Sequence, residues 1–344
     1  MSRPSSQLSP ILSVRHLKVY FSPRSALPWQ RKGQIRAVDD LHLDLRAGET
    51  LGIVGESGCG KSSLARALIG LETPTSGSIR YAGRELANLS KKDWRPLRRE
   101  LQMVFQDPLA SLNPKMTVGQ IVAEPLRELC PEIPASEHAQ RVAAMLERVG
   151  LSRDIVDRHP HEFSGGQAQR IGIARALIVK PKVLICDEAV SALDVSVRAQ
   201  IVNLLVELRQ EYGLTLIFIA HDLAIVRYLC DRVLVMYLGR VMEQAGAADL
   251  FGTPKHPYTR ALMAAAPAGA NAAPAAEADG KKKKKRKPLG GEMPSPAHPP
   301  MGCVFHTRCP LMESACVASV PSLRRVGAEH YAACHFVAAP DSTT

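Results

Sequence analysis

The sequence has no run of about 18 apolar residues, so no segment is expected to cross a bilayer as a helix. Its first residues, MSRPSSQLSPILSV, lack an apolar core of signal-peptide length, and the chain is expected to stay in the cytosol. It has no internal repeat of the kind that builds solenoids. Charge of one sign is scarce once a single segment is set aside. Of a net charge of +11, +7 sits in the run Lys281 to Lys287 (KKKKKRK). The rest is only mildly basic. A like-charge block without interleaved aromatics reads as a solvated linker or a contact for anionic lipid, and no specific nucleic-acid partner is expected.

What is present fits a globular protein. Hydrophobic residues make up 46% and charged residues 22% of the 344, which excludes a wholly disordered or collagen-like chain. Apolar runs LGIV (51–54), VLIC (183–186), TLIFIA (215–220) and RVLVMYL (232–238) alternate with amphipathic stretches. That pattern predicts an α/β fold with buried, largely parallel strands over residues 11–265. Residues 266–289, Ala/Pro/Gly-rich and then basic, read as a linker. Residues 290–344 read as a small Cys-rich extension.

The strand LGIV runs into Gly55-Glu56-Ser57-Gly58-Cys59-Gly60-Lys61-Ser62-Ser63 and then a helical stretch. This is G-x-x-x-x-G-K-[ST] in its strand–loop–helix setting. Glycines let successive backbone N–H groups face one anion, and the helix N-terminus adds partial positive charge. Lys61 is placed to reach the β- and γ-phosphates of a nucleotide, and Ser62 to ligate Mg²⁺. Downstream, the strand VLIC ends in Asp187 and Glu188. Asp187 is the expected second carboxylate on the Mg²⁺ side, and Glu188 the expected general base for water.

Phe163-Ser164-Gly165-Gly166-Gln167, followed by AQRIGIARAL, resembles the signature of ABC-transporter ATPases. Small residues opening a helix form a second array of N–H donors, which makes sense if it faces the γ-phosphate held by another subunit. A head-to-tail dimer with sandwiched ATP follows, and a bulky residue at Gly166 is expected to fill the space of that phosphate. Other pieces fall in the family's order. Gln106 resembles the Q-loop glutamine, near Mg²⁺ and the water. Ser191 to Asp194 resembles the D-loop, and His221 the switch histidine. Phe21, or Tyr20 beside it, stands where an aromatic stacks on adenine. The family's usual proline after the catalytic glutamate is Ala189 here, with activity expected to persist. The resemblance implies a RecA-like parallel core, an antiparallel β subdomain and a helical subdomain at about 107–175.

FQDPLASLNPKMTVGQIVAEPL, HPYTRALMAAAP and GEMPSPAHPPMGCVFHTRCP narrow the resemblance to ATPases of bacterial oligopeptide/dipeptide importers, of the second-ATPase type. It implies a peripheral subunit on the cytoplasmic face of the inner membrane. Implied partners are a paralogous ATPase or a second copy, two permease subunits and, indirectly, a periplasmic binding protein. The same machine with another cargo, such as nickel or a glycoside, and a soluble non-transport ABC ATPase are the alternatives.

Cys303, Cys309, Cys316 and Cys334 cluster near the C-terminus without the C-x₂-C pairs of zinc ribbons. In a reducing compartment they are expected as one metal centre, holding Zn²⁺ or a [4Fe–4S] cluster. Resembling subunits carry iron–sulfur in some members, which favours the cluster. Nucleotide binding is expected to be independent of this tail.

Overall fold

The computed structural model describes residues 9–22, 34–265 and 291–337. The linker and lysine run expected over 266–289 lie outside them. The strands form two sheets. An antiparallel sheet has the order β2-β1-β4-β5, from β1 (Leu12–Phe21), β2 (Ile35–Leu45), β4 (Ser76–Tyr81) and β5 (Arg84–Glu85). The central sheet has the order β11-β12-β10-β9-β3-β8-β7-β6. Its members are β3 (Thr50–Val54), β6 (Leu101–Val104), β7 (Val183–Asp187), β8 (Thr215–Ile219), β9 (Arg232–Tyr237), β10 (Arg240–Gly246), β11 (Arg324–Arg325) and β12 (Tyr331–Ala332). The strands from β9 to β6 pair parallel, whereas β10, β12 and β11 add on antiparallel.

Continuous apolar strands are stable here because both faces are covered. Ile217 and Ile219 face the core shared with the antiparallel sheet and α1 (Lys61–Leu68). Their neighbours Leu216 and Phe218 face the opposite core. Leu184 and Cys186 alternate with Val183 and Ile185 in the same way. The period of two thus survives inside a run that shows no polar alternation.

The segment between β6 and β7 carries α3 (Val118–Leu129), α4 (Ala135–Arg148) and α5 (Gly165–Leu177), the helical subdomain foreseen in the sequence. Capping boxes start two of them, Thr117 with Gln120 and Ser164 with Gln167. α2 (Lys91–Glu100) precedes β6. After β7 come α6 (Val195–Tyr212), α7 (Leu223–Leu229), α8 (Ala247–Gly252) and α9 (Pro257–Ala265), with the short α10 (Ser314–Ala318) in the tail. Gly213 ends α6 in the left-handed region at φ 62°. Among the described residues no helix is long and apolar enough to cross a membrane.

The tail does not stand apart from the α/β body. Tyr331 and Ala332 pair with Gln244 and Glu243, so β12 extends the central sheet. Fully buried Glu243 accepts hydrogen bonds from the backbone N–H groups of Lys255 and His256 and lies 2.6 Å from His330 Nε2. Phe305 sits against Tyr237 and Tyr258 at 5.4 and 5.2 Å between ring centroids. Aromatic packing of this kind fills the gap that a tail of this size leaves in its own core.

Candidate nucleotide site

β3 delivers the glycine loop to the N-terminus of α1. Gly55, Gly58 and Gly60 have φ of 156°, 79° and 104°. A Cβ on Gly60 would lie 1.8 Å from Ala37 O, and one on Gly55 2.2 Å from Met236 O. Only glycine lets the loop pass this close to β2 and β9. Cys59 is buried, and burial pushes its thiol upward, so it packs as a small apolar group.

Lys61 is buried and its Nζ donates to the carbonyls of Gly55 and Glu56 at 2.8 and 3.0 Å. It lies 3.9 Å from Glu188 Oε1. Ser62 Oγ donates to Asp187 Oδ1 at 3.0 Å, so the loop and the end of β7 meet where a divalent cation needs oxygen ligands. Burial, reinforced by the charge of Glu188, raises the Asp187 carboxyl; Ser62, Arg66 and Lys61 oppose the shift. A cation at this point favours the ionised form and offsets that cost.

Glu188 follows in the left-handed region at φ 45°, its backbone N–H donating to Ile219 O at 3.0 Å. Such a torsion is unusual for a residue with a side chain and turns Glu188 out of the strand direction. Its Oε2 accepts from Gln106 Nε2 at 2.8 Å and lies 3.9 Å from His221 Nδ1. Lys61, Ser62, Asp187, Glu188, Gln106 and His221 are therefore one connected group, drawn from four loops at the ends of parallel strands.

The remaining expected residues occupy two other places. Ser164 is exposed and caps α5, and its hydrogen bonds with Gln167 stay within that helix start. Gly165 and Gly166 follow it. A Cβ on Gly166 would come 2.5 Å from Val197 Cγ1. A substitution there first strikes this chain's own α6, so the expectation that it acts purely on a facing phosphate is corrected. Asp194 caps α6 through its carbonyl, which accepts from Arg198 N at 2.8 Å, and its side chain makes no capping bond. At the end of β1, Tyr20 OH donates to Asp39, which also accepts from Arg240 Nη2 at 2.6 Å. Burial and the Asp39 bond push Tyr20 up to about 12. Tyr20 is thus committed, which leaves its neighbour Phe21 as the aromatic at this end of the strand.

The sequence reading placed Glu56 in the phosphate loop but missed its partner. Arg308 Nη1 lies 3.0 Å from both carboxylate oxygens of Glu56, a contact spanning 252 residues that no local pattern announces. In the tail, burial, and after it the charges of Cys316, Cys309 and Cys334, pushes the Cys303 thiol up to about 11. The four sulfurs are thus within electrostatic reach of one another. They are not packed as tightly as a single ion requires. Among the described residues, the one group of three or more metal-ligand atoms within 4.8 Å of one another is His16, Asp40 and His42. Four thiolates around one Zn²⁺ stand about 3.8 Å apart, from a Zn–S bond of about 2.3 Å in a tetrahedron. A polynuclear iron–sulfur core holds its four cysteines farther apart than a single ion does. His306 and His335 point ring nitrogens at the carbonyls of Cys303 and Ser319, at 2.8 and 3.0 Å.

Residues 38–191 match the family model described as ABC transporter, and residues 242–316 match the one described as oligopeptide/dipeptide transporter, C-terminal region. The chain is 52% identical to the oligopeptide transport ATP-binding protein OppF of Escherichia coli (strain K12), over 91% of this chain and 92% of that one. It is 48% identical to the oligopeptide transport ATP-binding protein AppF of Bacillus subtilis (strain 168), over 94% and 97%. The dimeric post-hydrolysis structure of the ATP-binding cassette MJ0796 with ADP and phosphate superposes with a TM-score of 0.62 at 26% identity, over 69% of this chain and 98% of that one.

Proposed function

Because the chain belongs to the oligopeptide transport ATP-binding proteins, a family of ABC transporter subunits, we propose that it powers import of oligopeptides or dipeptides across the bacterial inner membrane. The observation that carries the enzymatic part is the connected group from Lys61 to His221, set under a loop of backbone donors. Backbone N–H groups of Gly58 and of Gly60 to Ser63, together with the Lys61 ammonium, bind the phosphates. The Ser62 hydroxyl, Asp187 and the Gln106 amide would hold Mg²⁺, which would supply positive charge against the transferred phosphoryl group. Glu188 accepts the proton of the attacking water, with Gln106 and His221 holding its carboxylate and the γ-phosphate in line. Phe21 stacks on the adenine.

Ser164, Gly165, Gly166 and Gln167 are exposed or half-buried and make no bond to this chain's own phosphate loop. They serve the γ-phosphate bound by the opposing subunit, a paralogue or a second copy arranged head to tail, with Asp194 crossing the same interface. Ser164→Arg tests this at an exposed position; it also removes the α5 cap, worth about 1 kcal/mol, which a melting curve separates from loss of hydrolysis. The isolated chain should bind Mg-ATP as the wild type does, while the assembled complex should lose hydrolysis by about a hundredfold. Loss of binding in the isolated chain would place the signature in its own site instead.

The subunit lies on the cytoplasmic face of the inner membrane against two permease subunits, whose cargo is delivered by a periplasmic binding protein. The helical subdomain of residues 107–175 is the surface that docks on the permeases. Cys303, Cys309, Cys316 and Cys334 would hold a [4Fe–4S] cluster as thiolates, and the cluster would tie the tail's loops together. Protein purified without oxygen should be brown and contain about four irons per chain. Stoichiometric zinc without iron would select a single-ion site, and absence of both metals would reduce the cysteines to packing groups.

A further inference from the structure

Glu56 is the second residue of the phosphate loop, and it carries a negative charge beside the place where a triphosphate binds. An unpaired carboxylate there opposes the nucleotide. Glu56 is not unpaired: Arg308 Nη1 lies 3.0 Å from each of its oxygens, and the Arg308 side chain is only 5% exposed. The guanidinium is itself fixed, with its carbon 5.8 Å from the centroid of the Tyr237 ring and Nη1 3.3 Å from the Tyr237 hydroxyl. The Glu56 backbone N–H donates to Tyr258 OH at 3.0 Å, so α9 grips the same residue from another side. Two further contacts tie the tail to this region. Met293 Cε stands 3.3 Å from where a Cβ on Gly58 would be, and Arg36 N donates to Pro296 O at 3.1 Å.

We infer that Arg308 is a positioning residue for ATP binding, through which the Cys-rich tail neutralises Glu56 and sets the phosphate loop. The inference rests on the reading of residues 55–63 as the nucleotide site. Arg308 acts through Glu56 and does not touch the nucleotide. It immediately precedes Cys309 and closes the single helical turn His306–Arg308, so its reach depends on the fold around the cysteines. The tail therefore bears on nucleotide affinity, contrary to the independence expected from the sequence. A buried ion pair that loses one partner leaves the other charge uncompensated, whereas removing both charges together costs little.

The test measures Mg²⁺-dependent binding of a non-hydrolysable ATP analogue to the full-length chain. Arg308→Met keeps the packing against Tyr237 and removes the charge; it should weaken binding about tenfold or more, the size expected for an uncompensated charge beside the phosphates. Arg308→Lys should recover part of the loss. The double variant Glu56→Gln/Arg308→Met should bind better than Arg308→Met alone. In the assembled complex the KM for ATP should rise while kcat at saturating ATP changes little. Unchanged affinity in Arg308→Met, or a double variant no better than the single one, would overturn the inference. Failure of the wild type to bind the analogue would instead overturn the nucleotide site itself. Melting temperatures separate these outcomes from misfolding, because Arg308→Lys and Glu56→Gln preserve the volume of the pair.

Discussion

Glu188→Gln should bind Mg-ATP with near wild-type affinity and hydrolyse almost none of it. The amide is nearly isosteric with the carboxylate but has no basicity to take a proton from water. Positioned general bases contribute typically about 10² to 10⁴ in rate, and turnover should fall by that factor. Binding should persist because the groups that face the phosphates and the cation are different ones: Lys61, Ser62, the loop N–H groups and Asp187. Gln106 Nε2, now 2.8 Å from Glu188 Oε2, keeps an acceptor in the glutamine. Loss of the negative charge 3.9 Å from Lys61 also removes a competitor for the ammonium, which favours retention of ATP. Single-turnover hydrolysis and equilibrium binding on the same preparation decide the matter. Retention of most wild-type turnover would remove Glu188 from the role of base.

Gly60→Ala should abolish nucleotide binding and lower the melting temperature by several degrees. The new Cβ would stand 1.8 Å from Ala37 O and 3.6 Å from Gly239 Cα, with φ at 104°. All of these neighbours are backbone, so no rotamer change relieves the contact. Either β2 moves or the loop does, and the loop is the site. Gly83→Ala is the matched control. It also sits at positive φ, 81°, but nothing lies within 4 Å of its Cβ position. It pays only the torsional cost of about 1–2 kcal/mol. Calorimetric melting and analogue binding on both variants separate strain from steric collision. A Gly60→Ala protein indistinguishable from Gly83→Ala would mean that the loop has slack the structure does not show.

The chemistry was more legible in the sequence than the architecture around it. The strands 51–54, 183–186, 215–220 and 232–238 announce themselves because a parallel sheet covered on both faces demands unbroken apolar runs. The phosphate loop is legible because its glycines and Lys61 have a fixed spacing for a physical reason. Ser164 and Gln167 are legible for the same reason, three residues apart as a capping box requires. The tail was read as a small Cys-rich extension, and its pairing with the central sheet was not legible. Its strands β11 and β12 are two residues each, too short to show a period, and β10, the partner of β12, lies some ninety residues upstream. The pairing of Arg308 with Glu56 has no local signature at all. A hint existed in the adjacent Val304 and Phe305, both of which are buried, Phe305 against Tyr237 and Tyr258. Gly166 was read for the space it leaves to a ligand, whereas its nearest obligation is to Val197 across the chain's own helices.

The most direct measurement is peptide accumulation and ATP consumption in the same vesicles, reconstituted with this chain, its partner ATPase and the permease pair, and supplied with peptide-loaded binding protein on the outer side. Labelled oligopeptide should accumulate inside only with Mg-ATP on the ATPase side, hydrolysis should rise with peptide, and Lys61→Ala or Glu188→Gln should stop both together. Peptide accumulating at the wild-type rate with Glu188→Gln, or hydrolysis that ignores peptide but responds to a metal chelate or a glycoside, would contradict the account.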